Sequence, residues 1–461
     1  MLIKKAIAEK ILGRALSTGG DFAEIFAEDS LKNSIRMIDD KIDTAISGRL
    51  YGAGIRIYRG VKSVYATTND LTEKGLLECA ERAAAVIGSL KADIQVNLTE
   101  KKYPDVHPVA LLPGSVDAKE KAALIKAAYW ALKNYSPEIV QAQTSLLERV
   151  QNVCIANSEG LFTEDRRVYT RFGNLALASD GVENQSGWEA PGRMRGYEVF
   201  RDEIDVEEYA KTAAKTAVTM LHAGNCPAGR MTVAIENAFG GAIFHEACGH
   251  LLEATSVAKG SSPFAGKIGQ KIANEKVTAI DDGTIPNAWG SINIDDEGSP
   301  ARRNVLIKDG VLQGYLVDRL NGRIMGMEST GSGRRESYQY APTSRMTNTY
   351  IDKGPDKSED IIKSIEYGLY ARKMGGGSVS PATGEFNFAV AEGYIVRKGE
   401  ICEAVRGASL IGKGAEIIMN IDMVGQNLAH GAGMCGSISG SVPTNVGQPL
   451  IRVSEITVGG R

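Results

Sequence analysis

The chain has 461 residues, enough for two or three domains with buried cores, and its 43% hydrophobic and 24% charged content are those of an ordinary soluble globular protein. A formal charge of −3 with no block of like charges argues against nucleic acid or an anionic membrane surface as a partner. The six cysteines (Cys79, Cys154, Cys226, Cys248, Cys402, Cys435) are scattered and include no C-x-x-C pair, which argues against a disulfide framework and favours reduced thiols in a cytoplasmic protein.

The opening MLIKKAIAEKILGRAL carries its charges at helical spacing and reads as an amphipathic helix rather than a signal peptide. No run of about 18 uninterrupted apolar residues follows, so no membrane span is expected. FAEIFAED and SIRMID read as two strands, and YGAGIRIYRG and KSVYATT as a hairpin turning at Arg59 and Gly60. Leu71 to Leu90 and Asp117 to Tyr135 have apolar residues at helical spacing, with a polar, proline-bearing connector over 91–114 between them. From Ser145 to Val199 the pattern turns strand-rich: LLERVQNVCIAN, LFTEDRRVYTRFGNLALAS, and a stretch ending in MRGYEVF. Val206 to His222 is a helix, and the small-residue segment AGNCPAG after it marks a domain boundary near residue 224.

Beyond that boundary, glycine-punctuated short runs such as RRNVLIKDGVLQGYLVD, EFNFAVAEGYIVRKGEI and LIRVSEITVGG predict a mostly antiparallel β domain. One helix, about 238–254, interrupts it. The expected fold is α+β: an N-terminal α/β sandwich-like domain over 1–224 and a C-terminal β domain over 225–461 that carries the helix.

That helix contains FHEACGHL. Only five histidines occur in the chain (His107, His222, His245, His250, His430), and two of them flank Glu246 within six residues. Two imidazoles can hold Zn²⁺ while a glutamate activates water for attack on a carbonyl. The spacing is one residue longer than H-E-x-x-H. On a regular α-helix, residues four apart differ by about 40° around the axis and residues five apart by about 140°. A shared metal therefore requires a distorted helix, for which a π-type widening next to Gly249 is the expectation. Otherwise the two histidines lie on different faces with separate hydrogen-bond partners, and spacing alone leaves both readings open.

The segment PAGRMTVAIENAFGGAIFHEACGHLLEA resembles the signature region of the TldD/PmbA family of metallopeptidases, whose TldD branch carries H-E-x-x-x-H. The likeness continues through NVLIKDGVLQGYLVDR, GSGRRESYQYAPTSRMTNTYI, GEFNFAVAEGYIVRKGEI, GASLIGKGAEIIMNIDMVG and CGSISGSVPTNVGQPLIRVSEITVGG, and more loosely through GAGIRIYRG and VYATTNDL. The resemblance implies zinc held by His245, His250 and Cys435, with Glu246 as general base. It implies a cytoplasmic zinc metalloprotease cleaving unfolded or extended polypeptides and peptide precursors. It also implies a dimer, with a second copy or with a sister subunit that lacks the motif. Two other functions remain open: a peptide-binding modulator with structural zinc, in line with the family's older description as modulators of DNA gyrase, and a zinc amidase acting on a non-peptide substrate.

Among alternative third ligands, Glu253 ranks second with a likelier task of orienting a histidine, His430 third, and Cys248 is expected to be a small buried residue. The G-x-G-x-x-G at 431–436 lacks the strand–turn–helix context of a dinucleotide site, and Gly375 to Gly377 reads as a flexible turn. Arg334, Arg335 and Arg345, with Tyr338 and Tyr340, read as a solvated surface loop, with a peptide groove or oxyanion support as the functional alternative.

Overall fold

The computed structural model describes residues 2–380 and 383–460. Its N-terminal part is one twisted sheet. From one edge the strands are Lys62–Thr68, Lys41–Arg59, Phe22–Ile38, Ile139–Asn157, Leu161–Ser179 and Thr99–Glu100, with Asn184–Glu189 and Gly192–Arg193 also joined to Leu161–Ser179. The expected hairpin turns at Gly60, whose φ of 59° favours glycine. FAEIFAED and SIRMID, expected as two strands, form one 17-residue strand. MRGYEVF is not a strand: it turns into the short helix Val199–Asp202, with Tyr197 and Val199 buried.

Helices Lys5–Leu16 and Glu73–Ile87 cover one end of the sheet, and Ala118–Lys133 and Val206–Leu221 cover the other. Three of the four begin at side-chain caps: the Thr72 hydroxyl accepts from the Gly75 N–H, Asp117 from Lys119, and Asp205 from Glu207 and Glu208.

Seven consecutive residues, Phe22 to Glu28, are buried, although a strand alternates its side chains between two faces. Both faces are covered. Ala23, Ile25 and Ala27 pack under the helices, while Glu24, Phe26 and Glu28 meet the C-terminal part of the chain.

That C-terminal part has two main sheets. In the first, Tyr367–Val379, Gly229–Ile235, Ile451–Gly459, Ser409–Lys413 and Glu385–Arg397 pair in that order, and the last pairs back to the first, so five strands close a circuit. In the second the order is Val311–Leu312, Arg303–Lys308, Ala279–Asp282, Asn348–Ile351, Gly440–Gln448 and Ala429–Ser437, which leaves Ala429–Ser437 at an edge. Most neighbours are antiparallel, as expected; Gly229–Ile235 with Tyr367–Val379 and Asn348–Ile351 with Gly440–Gln448 are parallel. Gly375 to Gly377 lies within a strand and is no turn: a Cβ on Gly377 would stand 2.0 Å from the Phe388 ring. Among the described residues no helix is long and apolar enough to cross a membrane.

The surface-loop reading of the arginine stretch is overturned. Arg334, Arg335 and Arg345 are 3%, 3% and 0% exposed and Tyr338 6%, while Tyr340 alone reaches solvent. The segment is polar because its partners are distant in sequence. Arg335 donates to Glu24 Oε1 at 2.6 Å and to the Asp296 carbonyl at 2.8 Å, and the Tyr338 N–H donates to Glu28 at 2.9 Å. Beside them Arg56 bridges Glu24 and Glu297, and Arg167 donates to the Ile294 carbonyl at 2.9 Å and pairs with Asp296. The two parts of the chain are joined by buried ion pairs.

Asp295 lies in this junction, fully buried, accepting from the N–H groups of Glu297, Ser299 and Gly333. Burial first, and the neighbouring Glu297 second, push its carboxyl up to about 8. The folded chain then holds a proton there that the unfolded chain loses near the ordinary carboxylate value. Stability from this group therefore falls as pH rises across that window. Wild-type stability relative to Asp295→Asn is expected to fall between about pH 5 and about pH 8, read by urea unfolding at each pH.

Candidate metal centre

The single helix expected over 238–254 is four short pieces: a 3₁₀ turn Phe239–Gly241, an α-helix Ala242–Ala247, a 3₁₀ turn Gly249–Leu252 and a helix Ala254–Val257. The first follows Ala238, whose φ of 56° is costly for a residue with a Cβ. The distortion between the histidines is a break and not the expected π-type widening. Cys248 N–H still bonds the Phe244 carbonyl at 2.9 Å, but Cys248 itself sits at φ −133°, ψ −44°, and the chain resumes as a tighter turn with Leu251 N–H on the Cys248 carbonyl at 3.0 Å. His245 is on the α-helical piece and His250 on the 3₁₀ piece, and the break turns them toward each other.

Two close approaches hold the break. A Cβ on Gly249 would stand 2.3 Å from Met346 Sδ, so this glycine makes room for Met346. A Cβ on Gly414 would stand 1.6 Å from the Ala247 carbonyl oxygen, so helix Gly414–Asn420 seats the end of the histidine helix directly on its first residue. Gly414→Ala is expected to destabilise by at least the roughly 1–3 kcal/mol of ordinary overpacking, read as a lower urea midpoint, because backbone and not a mobile side chain must give way.

Cys435 arrives on the edge strand Ala429–Ser437, paired opposite Val442. Its Sγ lies 3.2 Å from His245 Nε2 and 3.3 Å from His250 Nε2. One donor atom from each residue falls within 4.8 Å of the others. Zn–N and Zn–S bonds of about 2.0 and 2.3 Å at a tetrahedral angle would put nitrogen and sulfur about 3.5 Å apart, close to the spacing found. Burial opposes ionisation of the Cys435 thiol, but the two histidines outweigh it and hold the thiol well below its ordinary value. His250 is likewise raised against the cost of burial, chiefly by Glu253, whose Oε2 lies 3.1 Å from His250 Nδ1. That contact leaves His250 Nε2 for the cysteine side. Two imidazole nitrogens and an ionisable thiol, buried and convergent, fit Zn²⁺.

The remaining candidates fall elsewhere. Glu246 stands beside the cluster with its Oε2 3.7 Å from His250 Nε2 and its side chain 28% exposed, open to an incoming molecule. Cys248 is fully buried, outside the cluster, with its thiol pushed up by burial. His430 is five residues before Cys435 on the same strand, hence on the opposite face, where its ring meets Tyr350 edge-on at 5.1 Å. The glycines of 431–436 belong to this strand; Gly431 lets it pass against Phe239, whose N would be 2.9 Å from an added Cβ. Arg345, from the arginine stretch that is buried rather than a surface loop, donates to the Cys435 carbonyl. Nothing in the local pattern distinguishes it from its neighbours Arg334 and Arg335.

Three matched family domains run through the chain: PmbA/TldA metallopeptidase domain 1 over residues 23–87, the central domain over 111–221 and the C-terminal domain over 228–460. A metalloprotease TldD homolog of Haemophilus influenzae is 35% identical over 452 residues, covering 95% of this chain and 93% of its own length. A metalloprotease of Methanothermobacter thermautotrophicus is 34% identical, covering 95% and 96%. Among solved structures, a putative modulator of a DNA gyrase from Thermotoga maritima superposes with a TM-score of 0.78 at 22% identity, covering 95% and 96% of the two chains. TldE from Thermococcus kodakarensis gives 0.75 at 20% identity, covering 99% of each. These two likenesses concern the fold.

Proposed function

The chain belongs to the PmbA/TldD family of metallopeptidases, and on that premise we propose that it is a zinc-dependent protease of unfolded or extended polypeptides. The observation that carries the reading is the meeting of His245, His250 and Cys435 beside the half-exposed carboxylate of Glu246. Three protein donors leave a tetrahedral position open, as in catalytic zinc sites, whereas structural sites are closed by four. Zinc, when bound, supplies Lewis acidity that polarises the scissile carbonyl and makes water acidic enough to lose a proton near neutral pH.

The rest is done by the chain. Glu246 takes the proton from the attacking water at a carboxylate oxygen and returns it to the leaving amine. Glu253 holds His250 by Nδ1, so that Nε2 keeps its aim. Recognition of an extended substrate through its main chain is the mode that tolerates many side-chain sequences. All six cysteines are unpaired, which suits a reducing cytoplasm, and a dimer with a second copy or a motif-lacking sister subunit is the proposed assembly.

Metal removal tests the reading. Chelator-treated protein is expected to lose cleavage of an unfolded substrate and to regain it on addition of stoichiometric zinc. Retained zinc with polypeptide binding but no cleavage would instead establish a binding protein.

A further inference from the structure

We propose that Arg345 is a positioning residue of the metal centre: its guanidinium ties the turn that presents Cys435 to the segment that presents His250. The inference rests on the zinc reading above and names a residue to which that reading assigns no role.

Arg345 is fully buried, yet among the described residues no carboxylate lies within hydrogen-bond distance of it. Its Nη2 donates to the Cys435 carbonyl, and its Nη1 donates to Ser439 Oγ at 3.0 Å and to the Gly440 carbonyl at 2.8 Å. One planar fork thus spans the hairpin turn from the cysteine to the first residue of the returning strand. Its Nε faces the other half of the site, 4.0 Å from Glu253 Oε1, while Glu253 Oε2 is on His250 Nδ1. Neither Nε nor Oε1 has a hydrogen-bond partner among the described residues, so the approach is an ion pair without a hydrogen bond.

The residues on either side of Arg345 grip the histidine segment as well. Ser344 Oγ accepts from the Thr255 N–H at 2.9 Å and meets the Thr255 hydroxyl at 2.7 Å, two residues past Glu253. Met346 fills the space that Gly249 leaves beside His250. Three consecutive residues therefore contact the histidine segment, and the middle one also holds the cysteine turn, although the two donors lie 185 residues apart in sequence.

Charge points the same way. With zinc bound, the metal contributes two positive charges, and the Cys435 thiolate, Glu246 and Glu253 contribute three negative ones. The Arg345 guanidinium brings the cluster to neutrality. A lysine keeps that charge but lacks the fork and cannot span three acceptors from one plane.

The test compares wild type, Arg345→Lys and Ser439→Ala. Zinc affinity is measured by competition with a chromophoric chelator, the thiolate-to-cobalt absorption band by Co²⁺ substitution, and apo-protein melting by differential scanning fluorimetry. Arg345→Lys is expected to lower zinc affinity by about 10–100-fold, the usual cost of an outer partner of a metal ligand. Its cobalt–thiolate band should shift or weaken, because Cys435 is no longer held at its carbonyl. Ser439→Ala, which removes one acceptor of the fork, should show a smaller loss in the same direction. If Arg345→Lys does not fold, Ser439→Ala decides. Wild-type zinc affinity and an unchanged cobalt band in the folded variants would overturn the proposal. A wild-type protein that binds no zinc would instead overturn the reading of the centre.

Discussion

Glu246→Gln is expected to lower cleavage of an unfolded polypeptide by about 10²–10⁴-fold, roughly 3–5 kcal/mol in the barrier, with zinc content unchanged. The two halves of this result have separate causes. The carboxylate is a partly exposed acid beside the cluster, so its removal takes away the proposed proton acceptor. It stands outside the three-donor group, and the amide is nearly isosteric, so the metal should stay. Cleavage is followed by release of a fluorogenic peptide from an unfolded carrier, and zinc by elemental analysis of the same sample. Full activity in the variant would show that another group accepts the proton.

Cys435→Ala is expected to weaken zinc binding by more than the 10–100-fold that an outer partner costs, and to abolish cleavage with it. The thiol is the donor that the edge strand contributes to the three-residue group, and both histidines favour its ionised form against the cost of burial. Two controls share its chemistry or its neighbourhood. Cys248→Ala removes a thiol from the histidine segment itself, and His430→Ala removes an imidazole from the cysteine's own strand. Both should keep zinc at wild-type affinity, since one side chain is sealed away from the cluster and the other lies on the far face of the strand. Undiminished zinc affinity in Cys435→Ala would move the third donor to Glu253.

What could be read from the residues alone follows from how local each feature is. The turn at Gly60 and the helical stretches Glu73–Ile87, Ala118–Lys133 and Val206–Leu221 are short-range, and the pattern displays them. The need for an irregular helix follows from the count of residues between His245 and His250. Its form does not, because the break at Cys248 is set by Met346 and Gly414, far along the chain. The same limit explains the arginines. Arg335 and Tyr338 lie more than 300 residues from Glu24 and Glu28, and a polar stretch whose partners are that distant is indistinguishable from a solvated loop. MRGYEVF is apolar for a related reason: Tyr197 and Val199 fill a cluster shared by helices and sheet, and Met194 packs with Tyr169 and Trp289, none of which a strand pattern reveals. Cys435 is marked in the sequence by the family resemblance alone, since no spacing links it to the histidines.

The run from Arg335 to Arg345 has a mechanical consequence. One end is plugged by an ion pair into the N-terminal sheet, and the other is clasped around the turn bearing Cys435. Between them Tyr338 is pinned to Glu28 and Ser344 to Asp318, which leaves little slack. The run therefore makes the seat of a metal donor depend on residues of the N-terminal sheet: Glu24 and Glu28, remote from the metal centre, anchor the same segment that grips the Cys435 turn.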